Sequence, residues 1–271
     1  MPLSPRHLCR LDAPRCWSVA VSFWLSIVGC PLPDREARSI PTEASVKRPA
    51  LAEPAAPLVA EVSPAPAPSV RPRINEPYFA SGALKKFTGV LEAESREVFK
   101  QRATILAALP LQPGSHVADV GAGTGLFTFA LARRVGSTGR VYAVDIVPAF
   151  LARIRARQAR QKLNNVVPLL AGERSVGLPD QSIDLAFLCD VYHHIEYPAP
   201  YLTSLRGALR ADGKLVVIDF QRIPGVTRPA VLEHVRADRE QVIREIERAG
   251  FRLLEQKQGL LAENYFLVFA R

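Results

Sequence analysis

Cysteine is scarce where a folded domain would use it. Of the four in the chain, Cys9, Cys16 and Cys30 stand near the amino terminus, and Cys189 stands alone in the later region. No disulfide can therefore form within that region, and a thiolate zinc site or a multi-cysteine mechanism is disfavoured. Cys189 ends an apolar stretch and reads as a buried small hydrophobe. Histidine is nearly as sparse, at five. His193 and His194 are adjacent, and His116 and His234 are the only others after residue 81. Neighbours in sequence rarely share one metal by themselves, so no metal site is expected. The apolar run WSVAVSFWLSIVG, residues 17–29, has only 13 residues. A membrane-spanning helix needs ~20, so this run is too short to be one.

What is present divides the chain in three. Arg6, Arg10 and Arg15 precede the apolar run and small residues close it, the layout of a secretory signal over residues 1–29. Ile27-Val28-Gly29-Cys30 resembles the lipobox of bacterial lipoproteins, in which the cysteine is lipidated. That resemblance implies a lipid anchor at Cys30 and a place in the cell envelope. The competing reading is a fortuitous apolar patch on a cytoplasmic protein. Residues 30–81 are rich in Pro and Ala, as in PAPAPSVRPR, and cannot bury enough apolar surface to fold. They are expected to be a disordered tether. Residues 82–271 form the remaining domain, and the 48% hydrophobic content of the chain is enough for a substantial core.

The balance of charge is basic, with 35 Lys and Arg against 26 Asp and Glu, a net +9. Part of the excess lies in LARIRARQARQK, residues 151–162, which has no acid. Such a helix can face nucleic acid or anionic headgroups, but more often it is a solvated face.

Beyond residue 90, apolar spacing alternates between periods of two and 3.6. A helix is expected at residues 91–109, stopped by Pro110. Strands are expected at 116–120, 140–144, 166–170, 183–188 and 214–218, with helices at 126–135, 148–162 and 199–209 between them. A helix at 238–249 and a hairpin of strands at 251–256 and 265–270 close the chain. This order predicts an α/β fold, a Rossmann-like doubly wound sheet of seven strands with helices on both faces, mostly parallel with an antiparallel last strand.

The residues HVADVGAGTG, 116–125, carry the functional signal. A buried strand with Asp119 near its end runs into a turn with Gly121, Ala122, Gly123 and Gly125. Glycine lets the backbone turn sharply and approach a ligand without Cβ atoms. A dinucleotide fingerprint needs a third glycine at the sixth position, where Leu126 stands, which weakens an NAD-dependent oxidoreductase. Asp145, 24 residues after Gly121 at the end of the second strand, can accept both hydroxyls of a ribose.

The motif D-V-G-A-G-T-G resembles the first motif of class I S-adenosylmethionine (SAM) dependent methyltransferases, and the closing hairpin resembles their last strands. The resemblance implies that Asp119, Gly121, Ala122, Gly123 and Gly125 hold the methionine part of SAM, and that Asp145, followed by Ile146, binds the ribose. After the third strand the family commonly has an acid for the adenine amino group. Here AGERSVGLP puts Arg174 at that place with Glu173 beside it, so the adenine contact falls to Glu173, Arg174 or backbone groups. The fourth strand ends in LCDVYHHIEYP. Asp190 is taken as a further cofactor contact. The Asn/Asp-Pro-Pro-aromatic motif of nucleobase methylases is absent, which argues against nucleic acid as the acceptor.

The Val-x-His-His pattern resembles the ubiquinone and small-molecule branch. It implies a small-molecule acceptor with His193 or His194 as general base, since imidazole titrates near neutral pH. One of the pair can equally be a turn residue bonded to backbone. Tyr192, Glu196, Tyr197 and Asp219 are expected at the same edge of the sheet, and an arm at residues 221–236 is expected to cover it. A SAM-fold domain that binds but no longer catalyses is the rival function, because an exported protein leaves the compartment where SAM is made.

Overall fold

The computed structural model describes residues 67–271, so the signal-like segment, Cys30 and the tether up to residue 66 lie outside the described residues. The sheet has seven strands: β1 (His116–Val120), β2 (Arg140–Asp145), β3 (Val166–Leu170), β4 (Ile183–Cys189), β5 (Leu209–Phe220), β6 (Arg252–Gln256) and β7 (Asn264–Ala270). Their order is β3-β2-β1-β4-β5-β7-β6. The first five in this order pair in parallel, whereas β7 is antiparallel to both β5 and β6. This is the mostly parallel, Rossmann-like fold that the alternation predicts.

Alternation with period two divides the strand residues between two cores. Ala118, Val120, Val144, Ala186, Leu188, Val217 and Leu267 pack in one with Tyr201, Leu202 and Ile246. Val117, Val141, Ala143, Leu185, Phe187, Val216 and Phe266 pack in the other with Phe129, Leu131 and Ile154. Helices therefore cover both faces, and β1 and β4 in the middle are almost wholly buried.

The helices of the amino-terminal region are α1 (Glu76–Phe79), α2 (Ala83–Leu91), α3 (Glu97–Lys100) and α4 (Arg102–Ala108). The crossovers are made by α5 (Thr128–Val135), α6 (Pro148–Gln161) and α7 (Pro198–Ala208), and the last third adds α8 (Pro229–His234) and α9 (Arg239–Arg248). Local chemistry sets several ends. Gly136 stops α5 at φ +72°, Pro148 opens α6, and the Asp238 carboxylate accepts the Gln241 amide at 2.7 Å to cap α9. Arg155, Arg160 and Lys162 of the basic segment are exposed, so that face of α6 is solvated.

Two expectations are corrected. The single helix over residues 91–109 is broken into the end of α2, α3 and α4. Arg96 between them turns to Asp190 and to the Leu91 carbonyl, and Glu97 accepts backbone amides of Ala262, Glu263 and Asn264. These distant bonds outweigh the propensity of a continuous helix. The residues just before 82 are also no tether. Ser69 Oγ donates to Glu196 at 2.8 Å, the Arg73 amide to the same carboxylate at 3.3 Å, and Asn75 to the His194 carbonyl at 3.0 Å. A buried Glu196 needs donors, and this polar stretch supplies them.

Candidate functional site

In an open α/β sheet the crevice forms where adjacent strands send their connections in opposite directions, here between β1 and β4. Val120 stands beside Val144 of β2 and Leu188 of β4, so the glycine turn, Asp145 and Asp190 emerge side by side. A cleft opens there. Asp119, Gly121, Ala122, Gly123, Asp145, Ile146, Glu173, Asp190 and His194 all line it. Glu196 also lines it; Tyr192, Tyr197 and Asp219 do not.

Both acids of the first two strands are buried. Asp145 accepts the Gly123 amide at 2.7 Å on one oxygen and the Val147 amide at 2.8 Å on the other. Burial pushes its carboxyl up to about 6, against these amides, which pull it down. Asp119 accepts the Thr128 hydroxyl at 2.5 Å, and burial pushes it up to about 7. Asp190, at φ +54°, is ion-paired to Arg96 and accepts the Asn264 amide at 2.6 Å. Burial raises its carboxyl and the Arg96 guanidinium opposes the rise.

Three expected site residues stand elsewhere. Gly125 is outside the cleft, and a Cβ there would fall 2.8 Å from Phe129 Cε2, so its φ of +82° and helix packing require glycine. Gly121 lines the cleft but its lack of a Cβ serves packing too, since a Cβ would run into the Val191 side chain. Arg174 turns away: its guanidinium lies 3.7 Å from the Tyr197 ring centroid and donates to the Ala67 carbonyl, so it is corrected as a cofactor contact. His193 is buried and also outside the lining, with Nδ1 bonded to Asp219 Oδ1 at 2.7 Å. His194 remains as the imidazole on the wall, with Nε2 3.3 Å from the Tyr78 hydroxyl. Burial, with His193 and His234 close by, holds it well below the ordinary histidine range.

Sequence reasoning missed Thr124, Arg96 and the aromatic cover of Tyr78 and Phe150 on the cleft. Thr124 was legible as a hydroxyl inside the glycine turn; Arg96 and Tyr78 lie far from any motif. It also found no third partner for the histidine pair, whereas the arm at 221–236 brings His234 to within 5.1 Å of both rings.

The wall fits SAM in chemical kind. Thr124 Oγ1 is buried without a partner, two buried carboxylates stand beside it, and the glycine turn exposes backbone. That set suits a cationic amino acid joined to a nucleoside.

The fold is the Rossmann-like one that known methyltransferase structures share, and comparison with known proteins adds to the likeness. Residues 118–217 match the family model described as a methyltransferase domain. Over 118 residues the chain is 28% identical to the ubiquinone/menaquinone biosynthesis C-methyltransferase UbiE of Cupriavidus metallidurans, covering 44% of this chain and 48% of that one. The chain thus spans about half the length of the curated relatives it matches. A crystal structure of a SAM-dependent methyltransferase from Aquifex aeolicus superposes with a TM-score of 0.60 at 26% identity, over 70% of this chain and 98% of that one. The [4+2]-cyclase SpnF shares the fold at a TM-score of 0.51 and 22% identity, over 58% of each chain. Motif, fold and these likenesses support a class I SAM-dependent methyltransferase.

Proposed function

We propose that the protein transfers the sulfonium methyl of SAM to a small-molecule acceptor. The observation that carries this reading is the glycine turn and the buried Asp145 carboxylate side by side on one cleft at the β1/β4 switch point. Asp145, with Ile146 next to it, would hold the ribose. Asp119, Gly121, Ala122, Gly123 and Thr124 would hold the methionine part. Glu173 is the acid on the wall nearest the family's adenine position. Asp190 is committed to Arg96 and Asn264, so it would shape the wall.

The activated methyl makes alignment the main source of rate. Bound here, SAM would supply an activated methyl to the attacking acceptor and leave as S-adenosylhomocysteine, and an acceptor that is protonated would have one proton to give up. His194 is the group on the wall placed to take it, and His193 positions the turn through Asp219. The partial likeness to the UbiE enzymes makes an electron-rich, quinol-like ring the first acceptor to try.

Calorimetry of the purified full chain with SAM and S-adenosylhomocysteine tests the core of this reading. Binding of both, followed by transfer of labelled methyl to a quinol-type acceptor, is expected. No binding of either would remove the enzyme, and NAD binding instead would restore the oxidoreductase. Binding without transfer to any acceptor would favour the cell-envelope binding domain, which the export signal motivates. Export itself is proposed through Cys30. Cells fed a labelled fatty acid should label the wild type and not Cys30→Ser; an unlabelled wild type removes the anchor.

A further inference from the structure

We propose that His193, His194 and His234 form a site for one divalent cation of the zinc class. His193 and His194 close the 3₁₀ turn Tyr192–His194 after β4, and His234 ends α8 on the arm that returns across the same edge of the sheet. One ligand atom from each lies within 4.8 Å of the others. Tetrahedral zinc with bonds of ~2.0–2.1 Å needs nitrogens about 3.4 Å apart, so side-chain rotation has to close each gap by no more than about 1.4 Å.

The rings are not simply stacked. Their centroids are 4.3, 5.1 and 5.1 Å apart with interplanar angles of 43°, 76° and 61°, an arrangement in which no ring lies flat on another. Two further observations point to a ligand. His194 Nδ1 is buried and has no hydrogen-bond partner, a deficit that a bound cation would remove. His193 Nδ1 is bonded to Asp219, whose carboxylate also accepts the His193 and Phe220 amides at 3.0 and 2.8 Å. A carboxylate so held keeps the proton on Nδ1 and turns the Nε2 lone pair outward, as is usual behind metal-bound histidines. It also places a negative charge behind the ring that would carry the cation.

The third ligand is held in place. Arg222 donates to the Leu232 carbonyl at 2.7 Å, Arg71 to the Glu233 carbonyl at 3.0 Å, and Arg236 makes two bonds to Glu245 at 2.8 and 2.7 Å. The arm is thereby tied on both sides of His234. Three imidazoles without carboxylate or carbonyl ligands exclude magnesium and calcium, which take oxygen, and suit zinc, cobalt or nickel. Three protein ligands also leave the fourth position open, as in catalytic rather than structural zinc sites. His194 belongs to both the cluster and the cleft, so a cation here would stand as a Lewis acid beside the acceptor's place and would take over from the free imidazole the task of drawing off the acceptor's proton. That last consequence rests on the methyltransferase reading; the site itself does not.

Cobalt(II) and zinc titration of untagged full-length protein, stripped with chelator beforehand, tests the site. One equivalent of cobalt giving the strong visible absorption of tetrahedral coordination, displaced by zinc, is the expected result. His234→Ala alters a single side chain at the end of α8 and should abolish the signal without a loss of melting temperature. Asp219→Asn should weaken binding about 10- to 100-fold while leaving all three ligands in place. No one-to-one cobalt binding by the wild type overturns the proposal. So does binding that His234→Ala leaves intact, which would move the metal to the amino-terminal cysteines or elsewhere. SAM binding measured on the same samples separates this failure from failure of the methyltransferase reading.

Discussion

Replacing Asp119 by Asn should make the empty protein more stable at pH 8, although it removes a group from the cleft. Asp119 is 4% exposed, and its carboxyl sits at about 7 where an unfolded chain would have about 3.8. Between those values the folded state holds a proton that the unfolded state has lost, so wild-type stability falls as pH rises from about 4 to about 7. The difference is about 3 units at ~1.4 kcal/mol each, or about 4 kcal/mol above pH 7. Asn keeps an oxygen for the Thr128 hydroxyl and carries no charge to desolvate. For a domain of this size the gain corresponds to about 10 °C in melting temperature. Thermal melts of wild type and Asp119→Asn from pH 4 to 8 read it directly. The two curves should nearly meet at pH 4 and separate towards pH 7, while SAM affinity drops in the variant at every pH. A variant that melts at or below the wild-type temperature at pH 8 would refute the reasoning, because the ionised carboxylate would then be fully compensated by its donors.

The other predictions follow the same geometry. At pH 7 a carboxyl at about 7 is about half protonated and one at about 6 about a tenth, so seating cationic SAM beside Asp119 and Asp145 should release about half a proton. Calorimetry in buffers of different ionisation enthalpy measures it, and proton uptake would contradict it. Gly121→Ala forces a Cβ into Val191 at φ +66° and should cost about 2 kcal/mol in urea melts and abolish SAM binding, with part of the stability returned by adding Val191→Ala. Arg96→Ala leaves the Asp190 carboxylate buried and unpaired, at a cost of about 3 kcal/mol. The double variant with Asp190→Asn should recover most of that loss; no recovery would mean that Arg96 acts through packing instead.

How much of this was legible in sequence depends on the range of the forces involved. Periods of two and 3.6 along β1 to α7 report burial on one face or both, and burial is a property of each element's own residues. The glycine turn was legible because a φ near +66° or +82° leaves few alternatives to glycine. Its reason was misjudged at Gly125, where the neighbour is Phe129 of the following helix. Residues 69–81 read as tether because Pro and polar residues dominate them, yet Glu196, more than a hundred residues away in sequence, draws them onto the domain. The helix expected at 91–109 failed for a similar reason, since Arg96 and Glu97 are claimed by Asp190 and by the approach to β7.

The amino-acid sequence by itself determined the order of the seven strands and of the crossover helices between them, the glycine turn and the two acids at the strand ends, because each follows from local pattern and conformational limits. Tertiary structure decided which polar groups meet. It paired Asp190 with Arg96, turned Arg174 onto Tyr197, separated the adjacent histidines into one on the cleft wall and one held by Asp219, and carried His234 to both. Such meetings depend on chain crossings and on the demand of buried charges for partners, and neither is written in the spacing of any one segment.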